Sequence, residues 1–221
     1  ISGSRLAVLD KYAHVLAEYN DTELRNLVDV AMAVHAPEGT AKRLDSKNKL
    51  QLLRGSSEDP LQEWITVGFP GLPRSSGNYY FEVMIKGQSE VPQVGLVSTE
   101  FERTAGAKNG QGVGDDQHGW GVDGKNAARW HCGNPMAWGV RWDLNIDIIV
   151  GVAVDLTHRK MWVSTNGVWD ETPVFGPEHI PAGVSVYPAV SLKGRAGVNL
   201  GPDFKHGLPT FAGTFKAWPG G

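Results

Sequence analysis

Gly119-Trp120-Gly121-Val122-Asp123-Gly124-Lys125 has the spacing of a phosphate-binding loop. Such a loop needs a Ser or Thr after the lysine to hold magnesium, and Asn126 stands there instead. It also needs a helix whose N-terminus faces the phosphate, whereas Trp120 and Val122 alternate as strand residues do. The run Gly110-Gln111-Gly112-Val113-Gly114 fails as a dinucleotide fingerprint because its third glycine comes one residue early. Asp115, Asp116 and His118, with His131 and Cys132, are metal-ligating residue types. Their spacing is not diagnostic, since neighbours in sequence diverge more readily than they converge, and neither a metal nor a cofactor is expected. No Gly-x-Ser-x-Gly elbow exposes a nucleophile to any of the seven histidines, so an enzyme is not expected either.

What remains is chemistry of recognition. The chain has eight tryptophans. Trp120 and Trp162 fall in strand patterns and are expected to pack between sheets, where an indole buries a large apolar area. Trp138, Trp142 and Trp169 lie in or beside expected loops. There they are candidates for an aromatic recognition surface, with core packing as the competing reading.

Composition bounds the class. The 221 residues, 41% hydrophobic and 20% charged, suffice for one sizeable domain with an appendage. The 28 glycines and 13 prolines suit an all-β domain with many turns. A net charge of -3 lacks the basic excess that nucleic acid or an anionic membrane surface asks for, so neither is an expected partner. The single cysteine, Cys132, and the lack of a secretory signal or long apolar span favour a reducing compartment, and a cytoplasmic, monomeric domain is expected. Asn20-Asp21-Thr22 matches a glycosylation acceptor but reads better as a helix start. The opening Ile1-Ser2-Gly3-Ser4 and the closing Gly220-Gly221 suggest an excised fragment.

The elements that must position these residues are strands. Ile146, Ile148, Val150, Val152, Val154 and Leu156 recur every second residue and predict one buried strand face. Thr157-His158-Arg159-Lys160 then turns the chain, Met161 to Thr165 returns it, and Asn166-Gly167 tolerates positive φ. Further strands are predicted in GNYYFEVMI, QVGLVS, WGVD, VSVYPAVSL and AGVNL. Before them, Leu6, Leu9, Ala13 and Leu16, then Leu24, Leu27, Val28, Ala31 and Met32, have helical spacing, and Asn20 with Glu23 has that of a capping box. A helical preamble over Ser4 to Val34 is expected to pack on the sandwich.

Taken in order, Gly77 to Val83, Val94-Gly95-Leu96, Trp120 to Gly124, Asp147 to Asp155, Asn166-Gly167, Tyr187-Pro188-Ala189 and Val198 to Gly201 resemble the SPRY domain family. Asp123-Gly124 to Trp130-His131 resembles the SPRY domains embedded in very large eukaryotic proteins such as ryanodine receptors. The resemblance implies an all-β, bent antiparallel β-sandwich of concanavalin-like type over residues 42–205, after a short helical segment at 1–41 and before a C-terminal extension at 206–221. It implies a non-catalytic protein-protein interaction module whose loops at one edge receive a peptide or folded partner. On this sequence the loop candidates are Arg54, Glu102, Arg103, Lys125, Trp138, Trp142 and Trp169. Two rival readings are a lectin-like carbohydrate-binding domain and an architectural domain packed within a giant protein.

Overall fold

Strands β8 (Ile148–Asp155) and β9 (Lys160–Thr165) pair antiparallel, with Asp155 opposite Lys160 and Val150 opposite Thr165. This is the hairpin expected from period-two spacing. Asn166 and Gly167 follow it with φ of 50° and 79°. The buried stripe begins at Ile148 rather than Ile146, which is 55% exposed and precedes the strand. The structure, a computed structural model, describes residues 33–35, 61–101, 112–139 and 141–218.

β9 and β8 belong to a sheet that continues through β3 (Asn78–Ile85) to β12 (Ala196–Asn199), with the two-residue β10 (Val168–Trp169) on the other edge. The second sheet runs β1 (Ala33–His35), β2 (Leu61–Gly68), β11 (Val186–Gly194), β4 (Glu90–Ser98), β5 (Gly119–Asp123), β6 (Ala128–His131) and β7 (Asn134–Ala137). Alternate residues of the two sheets meet in one core, in which Phe81, Val83, Val150 and Val152 share a cluster with Val67, Leu96, Trp120 and Val190. The described part is all-β, as expected.

The end of the expected helical preamble is a strand. β1 pairs antiparallel with the edge of β2, Val34 opposite Val67, and so occupies backbone groups that an edge strand would otherwise leave open. Three residues of sheet pairing outweigh a helical pattern that reaches them only at its end. The rest of residues 1–41, and Arg54, lie outside the described residues.

The sandwich also continues past residue 205. β13 (Lys216–Ala217) runs parallel beside Tyr79 and Tyr80 of β3. Trp218 behind it is fully buried, 5.4 Å from the ring of Tyr79 and 5.6 Å from that of Phe81, and its indole N–H donates to Leu72 O at 2.8 Å. The segment leading to β13 crosses the outer face of its sheet. There Tyr80, Ala153 and Trp162 stand side by side in register and are covered by Phe215, Phe204 and Ala212.

Candidate interaction surface

Strand direction decides which loops can act together. β5 runs antiparallel to β4, Val94 opposite Val122 and Val97 opposite Gly119, so the turn after Asp123 lies beside the start of β4. The chain after Ser98 leaves from the other end. The described part of the connection to β5 nevertheless returns toward the start of β4, where Asp115 accepts from Gln93 Nε2. Glu102 and Arg103, in that connection, lie outside the described residues.

At the Lys125 end the turn is built from within. The Asp123 carboxylate, wholly buried, accepts the amides of Lys125 at 2.8 Å and Asn126 at 3.3 Å, so it satisfies turn donors rather than binding an external group. Gly124 is required by close approach, because a Cβ there would fall 1.8 Å from the ring of Trp142. Trp142 donates its backbone N–H to Gly124 O at 2.9 Å and its indole N–H to Thr165 Oγ1 at 3.2 Å. It is 7% exposed and belongs to the main core, so its ring is a post holding the turn against β9, not part of an exposed surface. Trp138 is half-buried, packs against the same core, and donates its amide to Ala127 O at 2.8 Å. Trp169, on β10, is half-buried 5.7 Å from Tyr80 and 5.5 Å from Phe211, on the outer face of the other sheet. Of the expected surface residues that lie among the described ones, Lys125 is the one left exposed.

Neighbouring turns join this end. Lys86 Nζ pairs with Asp147 Oδ2 at 2.8 Å, and Gly87 N donates to the other oxygen at 3.0 Å. The ammonium, then the amide, hold the Asp147 carboxyl below the usual carboxylate range. Gln88 N donates to Leu144 O, Arg141 Nη1 reaches Lys125 O at 3.3 Å, and Asn166 exchanges bonds with the backbone of Ile149. These turns are fixed to one another, so the side chains they project have defined positions. Exposed among them are Lys125, Arg141, Asp143, Asn145, Ile146 and Asn166, with Val168 75% exposed on β10. The periodicity that placed Ile146 in a strand concealed this exposure.

The supposed ligating residues are spent on structure. Asp115 accepts from Gly112 N at 2.8 Å and Gln93 Nε2 at 3.3 Å, and Asp116 caps the amide of His118 at 2.7 Å. His131 stacks on Trp120 at 5.4 Å with its Nδ1 2.8 Å from Gly119 O, while Cys132 is exposed at the following turn. Among the described residues no three His, Cys, Asp or Glu side chains converge. Nor is any helix among them long and apolar enough to cross a membrane.

A two-sheet antiparallel sandwich with internally capped end turns belongs to the class of all-β sandwich domains. The SPRY domain model matches residues 78–203, more than half of the chain, and the chain belongs to that family. SPRY domains are generally protein-interaction modules. Among curated proteins none matches this chain.

Proposed function

We propose that this domain is a non-catalytic module that receives a peptide or folded partner at the end formed by turns 86–89, 124–127, 138–147 and 166–167. The observation that carries the reading is a local charge reversal. Lys86 and Arg195 lie in the field of Asp147, next to exposed Ile146, while exposed Lys125 and Arg141 share the adjoining turns with Asp143, a cationic excess on a chain whose net charge is -3. Such an end suits an acidic partner segment carrying an apolar anchor, because charge complementarity speeds encounter and the anchor supplies burial. The domain acts in the cytoplasm, a reading supported by its single cysteine.

The test compares the parent with Lys125→Glu combined with Arg141→Glu in affinity capture from lysate followed by mass spectrometry. Both positions are exposed, so stability should change by no more than about 0.5 kcal/mol. Captured partners should be lost, and their retention by the parent should fall as salt rises. If the double variant keeps every partner of the parent, the binding end is elsewhere.

A further inference from the structure

The outer face of the β8–β9 hairpin carries a groove of 480 Å³ that the loop end does not explain. Its open apolar part is Phe211 and Pro173, backed by the buried ring of Trp162, and its rim carries Asp155, Lys160 and Glu171. Trp162 and Phe211 stand nearly edge-to-face, 6.2 Å apart with planes at 70°, and Phe211 keeps 38% of its surface exposed. Phe211 thus leaves part of its ring open within a concave wall rimmed by polar side chains, the make-up of a ligand cleft.

The wall is preset. Phe211 belongs to the segment crossing the sheet, and that segment is seated where the buried Glu82 carboxylate accepts the amides of Lys205 at 2.8 Å and His206 at 2.9 Å. The opposite wall is held because the Trp162 indole N–H donates to Glu171 O at 3.1 Å, which fixes the Glu171 backbone and leaves its carboxylate outward.

The rim charges are not equivalent. Both oxygens of Asp155 are engaged by His158, from its amide at 2.8 Å and its Nδ1 at 2.6 Å. Among the described residues neither the Lys160 ammonium nor the Glu171 carboxylate has a partner, and both are exposed. The groove thus offers an apolar seat with one free cation and one free anion on its rim. Lys160 begins β9 and Thr165 ends it, so the groove lies roughly 17 Å from the loop end at the usual rise along a strand.

We propose that this groove docks an extended peptide of a partner protein. The peptide lays one aromatic or long aliphatic side chain on Phe211 and Pro173, with an acidic residue on one side meeting Lys160 and a basic residue on the other meeting Glu171. An open groove with opposed charges suits a chain passing through it better than an enclosed small molecule.

The probe is a displayed library of random peptides selected on the whole chain. Selected peptides should share an apolar residue between an acid and a base. Lys160→Glu and Glu171→Lys should each weaken them about tenfold or more while leaving the melting temperature in place. The exchanged variant, carrying both changes, should prefer peptides with the charges in reverse order. Lys125→Glu with Arg141→Glu should leave these peptides bound, which separates this site from the loop end. The proposal is overturned if no peptide is enriched, if those enriched ignore both rim substitutions, or if their binding is lost in the loop-end variant. It is equally overturned if the chain itself dimerises in sedimentation and Lys160→Glu dissolves the dimer, since the occupant is then a second copy.

Discussion

Tyr80 donates its phenolic proton to Glu82, two residues along the same strand, at 3.0 Å. Residues so spaced share a face, and here that face is sealed, with Tyr80 fully buried and Glu82 2% exposed. Glu82 also accepts from Asn199 Nδ2 and from the amides of Lys205 and His206, so a carboxylate that would be costly unpaired becomes the seat of the segment above it.

Burial, and then the Glu82 charge, push the Tyr80 phenol above its ordinary value. A raised folded value means that the stability from protonated Tyr80 is complete below the unfolded value of about 10 and is lost as pH rises past it. Chemical denaturation between about pH 8 and pH 11 should show that loss, and Tyr80→Phe should flatten it. An unchanged slope in the variant would mean that the phenol does not carry the effect.

Trp218→Ala should cost about 3–5 kcal/mol by urea unfolding, since it empties a fully buried indole site between Tyr79 and Phe81. Val168→Ala, at a position 75% exposed, should stay within about 0.5 kcal/mol. Equal effects would mean that β13 does not hold the sandwich closed.

Gly95→Ala should prevent a native fold or cost about 3 kcal/mol or more. A Cβ at residue 95 would lie 2.0 Å from Trp120 O on the neighbouring strand, where backbone, not a flexible side chain, must move. Retained near-ultraviolet circular dichroism with an unchanged melting temperature would refute this.

The pair of Lys86 and Asp147 is partly exposed, so after solvent screening it contributes no more than about 0.5 kcal/mol. The Asp147 carboxyl is held below its ordinary value, so this contribution is present above the unfolded value of about 3.9 and lost as pH falls through the folded one. Lys86→Met should lower the melting temperature slightly near neutral pH, and the difference should vanish in strong acid or high salt. A difference that persists in both would assign the effect to packing.

The sheets were legible because strand faces repeat every second residue. Tyr79, Phe81, Val83 and Ile85 declare an inner face locally, and all four are buried. The site was less so, because its determinants are distant in sequence. Glu82 reads as an outward polar residue until a segment more than a hundred positions later covers it, the Lys205 contact being 123 positions away. Trp142 is drawn inward by a glycine on another turn, a pairing no periodicity reveals. Trp218 follows a strand of two residues, too short for any alternation to register.

The bond from Trp218 to Leu72 spans 146 positions of chain. During synthesis at about 5–20 residues per second, Phe81 would leave the ribosome on the order of ten seconds before the indole that caps it. Through that interval β3 presents an uncapped apolar surface to the cell. Until β13 arrives, the nascent chain therefore keeps this surface open to chaperones and to mispairing with its neighbours on a polysome.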